Sequence, residues 1–207
     1  MTRVLIVEDD PMAQSLLKML IDKHPGYALA GCLESAAFAL SFCLQQQVEL
    51  VLMDVCTAMG ASGLIEAAKI KRRLPRVKVI IITSQPECDF ISRARLGGID
   101  SFWYKSPREE TLFSVMDRTM AGEQVYPDAA PEVRVGSVSS RDFTPRELEV
   151  LRELLTGDSN AQIAERLGIS EATVRDHISE MLSKTGLGSR TRLAVEAEHS
   201  GIVNKDY

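Results

Sequence analysis

Residues 3–10 read Arg-Val-Leu-Ile-Val-Glu-Asp-Asp, an apolar, largely β-branched run that passes straight into three carboxylates. The apolar part fits a strand buried on both faces, and the acidic part has no place in such a core. The pattern recurs at residues 49–54, where Leu50-Val51-Leu52-Met53 ends on Asp54. Residues 77–82 form the most strand-like run of the chain and end on Thr83 and Ser84. Two more short strands are expected at 27–32 and 101–104, the second ending on Lys105. Helical patterns separate and follow them at 12–23, 35–46, 64–73, 88–96 and 109–120. Five βα units of this kind imply a doubly wound α/β fold with five parallel strands, covered on both faces by helices. Ligands of such sheets bind beyond the carboxyl ends of the strands, where these polar residues gather.

The remaining bulk properties set limits. A chain of 207 residues fits one large or two small domains at roughly 100–200 residues each. With 45% hydrophobic and 26% charged residues it can build a core without disulfide staples. Acidic residues interrupt the N-terminus before an export signal could form, and no apolar run approaches the ~20 residues of a membrane span. A cytoplasmic protein is expected, with no membrane partner. Cys32, Cys43, Cys56 and Cys88 form no CxxC pair, and with His24, His177 and His199 they make no zinc pattern. The net charge of -5 argues against a general nucleic-acid binder, so any DNA binding has to come from a local surface.

The strand–helix alternation gives a first domain over residues 1–121. Residues 122–141 hold Pro127, Pro131 and scattered serines without a sustained period, and read as a linker. From 142 to 207 the pattern is helical. Thr144-Pro145-Arg146-Glu147 is a capping box with proline at the first helical position. Short helices at 160–167 and 171–184 flank Gly168-Ile169-Ser170, the spacing of a helix-turn-helix, and a last helix is expected at 189–200. This second domain is small and all-α.

Clustered carboxylates repel unless a cation joins them, and oxygen donors of this kind suit Mg²⁺. A carboxylate beside that ion can accept a phosphoryl group, with a lysine offsetting its charge. Residues 1–121 resemble the receiver domains of response regulators, whose flavodoxin-like fold carries such a site, through Glu8, Asp9, Asp54, Thr83 and Lys105. The resemblance implies that Asp54 takes phosphate from a sensor histidine kinase. It implies that Asp9, Asp54 and the backbone carbonyl of Cys56 bind Mg²⁺ directly and Glu8 through water. Thr83 and Lys105 would contact the phosphoryl group, and Phe102 holds the place of the family's switch aromatic. Three features depart from the pattern. Ala58 stands where the family usually has proline. The loop at 57–63 is one residue longer than is common. Ser106 separates Lys105 from Pro107.

Residues 143–203 resemble the LuxR/NarL-type DNA-binding domain. The matching string is FTPRELEVLRELLTGDSNAQIAERLGISEATVRDHISEMLSKTGLGSRTRLAV. Together the two halves resemble the NarL/FixJ class of response regulators. That likeness places the helix at 171–184 in the major groove. Arg175 is the candidate base reader, with Asp176 and Ser179 beside it, while Thr173, Lys184 and Arg190 are candidate phosphate contacts. From residue 166 to 192, five basic side chains face three acidic ones, a local charge of +2. Weak binding by one copy is then expected, remedied by two copies on paired half-sites.

The expected function is a two-component response regulator, not an enzyme beyond handling its own phosphoryl group. Phosphorylation of Asp54 would control dimerisation and binding to promoter DNA, with RNA polymerase a further candidate partner. Two rivals differ in chemistry. A phosphatase with an aspartate nucleophile usually has a second Asp two residues on, where this chain has Cys56. A receiver working without phosphate would draw support only from the departures around Ala58 and Ser106.

Overall fold

The computed structural model describes every residue except Cys88, residues 106–110 and residues 205–207. Ser106 and Pro107, at the interrupted Lys-Pro junction, lie outside the described residues. The chain divides into two compact units. One comprises Met1–Ser84 and Asp89–Asp128, the other Gln85–Cys88 and Ala129–Tyr207.

The first unit begins with β1 (Thr2–Val7) and α1 (Pro11–Lys23). Asp10 caps α1 by accepting from the Ala13 amide at 2.7 Å, and Pro11 takes the first helical position. There follow β2 (Tyr27–Leu33), α2 (Ala39–Gln45) and β3 (Leu50–Asp54). A small hairpin of β4 (Cys56–Thr57) and β5 (Ala61–Ser62) leads into α3 (Gly63–Arg73). Next come β6 (Lys78–Thr83), α4 (Phe90–Leu96), β7 (Ser101–Tyr104) and α5 (Leu112–Met120).

The main sheet has the order β2-β1-β3-β6-β7 and all its pairings are parallel, as the alternation of patterns implies. Its central strands are apolar throughout because helices shield both faces: all five residues of β3 are buried. One core layer gathers Val4, Ile6, Leu17, Ile21, Leu50, Leu52, Ile80, Ile82, Val115 and Met116. The register brings Val7 beside Met53 and Asp54 beside Ile82, so the first residues past β1 lie next to the end of β3.

The second unit opens with a hairpin, β8 (Arg134–Val135) and β9 (Val138–Ser139). It continues through α6 (Pro145–Leu154), α7 (Asn160–Leu167), α8 (Glu171–Thr185) and α9 (Arg190–Ser200). Its core joins Val135, Leu148, Leu151, Ile163, Val174, Ile178, Met181, Leu193 and Ile202. Among the described residues, no helix is long and apolar enough to cross a membrane.

Candidate phosphoacceptor site and nucleic-acid interface

Glu8 follows β1, Asp54 ends β3, Thr83 ends β6 and Lys105 follows β7, so sheet order alone brings them to one rim. Glu8 is almost wholly buried, Asp54 is buried and Asp9 is exposed. Lys105 Nζ donates to Glu8 Oε2 at 2.5 Å and to Asp54 Oδ2 at 3.2 Å, bridging the two buried carboxylates. The second Asp54 oxygen accepts from the Val55 amide at 2.8 Å. The other Glu8 oxygen accepts from the Asp10 amide at 3.2 Å. The Lys105 amide donates to the Thr83 carbonyl at 2.8 Å, locking the ends of β6 and β7 together.

Burial dominates the electrostatics of Asp54. It pushes the carboxyl up to about 7. The Lys105 ammonium opposes that rise, and the Glu8 charge adds to it. Burial lowers the affinity of Lys105 for its proton, but Asp54 and Glu8 overcome this and hold it above its usual range. One ammonium therefore serves two carboxylates and leaves negative charge over. Oxygens of Glu8, Asp9 and Asp54 come within 4.8 Å of one another, a hard-oxygen cluster whose chemistry fits a small divalent cation.

The long loop after Asp54 folds as the β4–β5 hairpin. Thr57 Oγ1 donates to the Ala61 carbonyl at 2.6 Å and accepts from the Ala36 amide at 2.9 Å. The Ala58 amide donates to the Glu34 carbonyl at 2.9 Å, a bond that proline at this position could not make. Met59 at the tip takes a φ of 67°, a left-handed conformation rare for such a side chain. Cys56, whose carbonyl is a candidate ligand, opens this hairpin. Gly63 closes it, and a Cβ there would lie 1.8 Å from the Asp54 carbonyl oxygen. No periodicity signals Gly63, because the close approach belongs to the folded backbone path. Phe102 is buried on β7, its ring 5.0 Å from that of Tyr104.

In the second unit α7 ends at Gly168 in the left-handed conformation (φ 64°), which turns the chain into α8. Ser170 caps α8, accepting from the Thr173 amide at 3.0 Å, and its hydroxyl also meets that of Thr173 at 2.8 Å. Val174, Ile178 and Met181 face the core, while Arg175, Asp176 and Ser179 are exposed together on the opposite face. Arg175 lies 3.7 Å from Glu171 in an exposed pair one turn apart. Thr173 is half-buried.

Two expected phosphate contacts are engaged within the unit. Lys184 Nζ lies 2.7 Å from the carboxylate of buried Glu147 and donates to the Asp142 carbonyl at 2.9 Å. Glu147 also completes the capping box of α6 with Thr144. Burial pushes the Glu147 carboxyl up, but Lys184 and the two Thr144 donors overcome it and hold it below its usual value. Arg190 donates to Asn160 Oδ1 at 3.0 Å and to the Asp158 carbonyl at 2.6 Å, tying α9 to the start of α7. Arg166 is paired with Glu153 and Asp158. Asp158 and Asn160 escaped the sequence reading because nothing local marks them as partners of Arg190, 32 and 30 positions away.

Comparison with known proteins agrees with this division. The family described as "Response regulator receiver domain" matches residues 4–117, and "Bacterial regulatory proteins, luxR family" matches residues 141–197. The chain is 27% identical over 201 residues to the nitrate/nitrite response regulator protein NarL of Escherichia coli (strain K12), covering 93% of each. It is 27% identical over 206 residues to the response regulator protein VraR of Staphylococcus aureus (strain MRSA252), covering 97% of this chain and 98% of the relative. RcsB from Salmonella enterica serovar Typhimurium, solved bound to promoter rprA with the phosphomimetic BeF3-, shares the fold. Its TM-score is 0.61 at 19% identity, covering 95% of this chain and 98% of that one.

Proposed function

Since the chain belongs to the response regulator receiver family and carries a luxR-type DNA-binding domain behind it, we propose that Asp54 is its phosphoacceptor and that phosphorylation controls promoter binding through α8. It is a transcription regulator of the two-component kind rather than an enzyme. The bridge from Lys105 to both Glu8 and Asp54 carries the reading, because it sets a buried carboxylate beside a cation at a strand end.

A sensor histidine kinase is the natural donor. An Asp54 oxygen attacks phosphorus, the P–N bond to the kinase imidazole breaks, and that nitrogen leaves with the bonding pair. Asp9, Asp54 and the Cys56 carbonyl, with Glu8 through water, would hold Mg²⁺, which when bound supplies positive charge against the phosphoryl oxygens. Lys105 pairs with one phosphoryl oxygen and Thr83 donates a hydrogen bond to another. Phe102 and β7 carry the change onward. Arg175 reads a base edge, with Asp176 and Ser179 beside it, and Thr173 at the amide-rich start of α8 meets a phosphate. Lys184 and Arg190 support this surface chiefly by holding α8 and α9 in place. Two phosphorylated copies pair on DNA, the last helix contributing, in the cytoplasm where kinase and promoter are met.

The test is intact-mass spectrometry after incubation with Mg²⁺ and acetyl phosphate, beside an Asp54→Ala control. A single phosphoryl adduct absent from the control is the expected result. The adduct should raise affinity for duplexes selected from a random-sequence library. No adduct on folded protein would sink the phosphoacceptor reading in favour of a regulator that works without phosphate.

A further inference from the structure

Among the described residues β7 is the edge strand of the main sheet, with β6 as its sheet neighbour. Its other edge is covered by the chain's own residues 124–126, while Glu123 stays with α5, its amide donating to the Arg118 carbonyl at 2.9 Å. The Phe102 amide donates to the Val125 carbonyl at 2.9 Å. The Val125 amide donates to Ser101 Oγ at 3.0 Å, and that hydroxyl also meets Thr119 Oγ1 at 2.7 Å. The Val125 side chain is buried in the same core layer as Ile80, Ile82 and Val115. The Tyr126 hydroxyl donates to the Ile99 carbonyl at 2.7 Å, and the Arg95 guanidinium lies 4.0 Å from the centre of the Tyr126 ring. This segment is thus held by backbone, hydroxyl and ring contacts to β7 and α4, and Pro127 ends it.

We propose that residues 124–126 are a releasable strap whose grip on β7 sets the length of the tether between the two units. The inference rests on Asp54 being the phosphoacceptor. Thr83 pairs with Tyr104 across β6 and β7, and the Lys105 amide bonds the Thr83 carbonyl. A phosphoryl group on Asp54 draws on Thr83 and Lys105, whose backbone bond ties the end of β7 to the end of β6. Any shift of β7 must be absorbed at its other edge, where Phe102 itself holds the strap. With the strap in place the free chain runs from Pro127 to Pro131, since Glu132 pairs with Arg141 and Val133 bonds Ser140 through both its amide and its carbonyl. Release adds three residues, roughly 10 Å of extended reach. Such a change alters the effective concentration at which the DNA-binding unit meets any other surface.

Hydrogen exchange on the full chain, with and without Mg²⁺ and acetyl phosphate, tests this. Phosphorylation should speed exchange of the Phe102 and Val125 amides at least tenfold, and Asp54→Ala should abolish the effect. Tyr126→Ala should produce the same loss of protection without phosphate and enlarge the chain's maximum dimension in solution scattering. Tyr126→Phe, which keeps the ring over Arg95, should fall between. An adduct that changes exchange around Thr83 but leaves Phe102 and Val125 protected overturns the strap alone. Loss of strap protection in Tyr126→Ala with no change in dimension overturns the tether. Absence of any adduct overturns the phosphoacceptor reading and the strap with it.

Discussion

Asp54 is a carboxylate placed where burial works against its charge, and the effect is measurable in stability. Its folded value lies near 7, against an ordinary 3.8. A raised carboxylate contributes stability that is present below the unfolded value and lost as pH rises through the folded one. Asp54→Asn keeps the shape without the charge. In EDTA the variant should match the wild type in stability near pH 4 and exceed it beyond pH 7, by on the order of 2–4 kcal/mol. Mg²⁺ should close the gap by stabilising the wild type. A variant melting below the wild type at pH 8 would show that the Lys105 pairing outweighs burial. Gly63 poses a steric rather than an electrostatic problem. Gly63→Ala forces a Cβ to within 1.8 Å of the Asp54 carbonyl oxygen unless the backbone moves. It should cost about 3 kcal/mol or more and lower phosphoryl uptake, read by thermal melting and intact mass. Glu8, Asp9, Asp54 and Lys105 were legible in the sequence because charged groups at the ends of apolar strands have no role in a core. Gly63 and the left-handed Met59 were not, because the need for them arises only once the hairpin is built.

At the scale of elements, caps and buried pairs decide how well the DNA-binding helices are held. Glu147 stands at the third position of α6 and is gripped by Lys184 from the last turn of α8, so one ion pair clamps the two helices. Removing one partner of a buried pair strands the other. Lys184→Met should therefore cost about 2–3 kcal/mol, discounted because Lys184 is a quarter exposed. Thr144→Ala should cost about 1 kcal/mol. The pair Lys184→Met with Glu147→Gln should cost less than the two single changes together, seen by calorimetry of the full chain. Because the Glu147 carboxyl is held below its usual value, its contribution is present above the ordinary glutamate range and fades as pH falls through the lowered one. The capping box and the Gly168 turn could be read in advance, since both depend on residues a few positions apart. The β4–β5 and β8–β9 hairpins could not, because their strands are two residues long and carry no period.

For the whole molecule the question is how an acidic chain holds DNA. The sequence count of five cations against three anions between residues 166 and 192 overstates what α8 and its neighbours offer. Arg166, Lys184 and Arg190 are committed to partners inside the unit. Arg175 and Arg192 remain exposed, and Arg175 shares its charge with Glu171. Few phosphates can then be neutralised by one copy. Binding to a single half-site should be micromolar or weaker near physiological salt, with a shallow slope of about -2 to -3 in the log–log salt plot. Two copies on half-sites one turn apart should roughly double that slope and gain far more affinity than the slope alone implies, because the second contact is made at high effective concentration. Shifting one half-site by about five base pairs turns it to the opposite face of the duplex and should return both quantities to the single-site values. Arg175→Ala should weaken the selected site much more than an unrelated sequence, whereas loss of a phosphate contact weakens both alike. Fluorescence anisotropy of phosphorylated protein across a salt series reads all of these. A slope near -6 on one half-site would show that cations outside α8 and α9 reach the backbone, and pairing of two copies would no longer be required to explain the affinity.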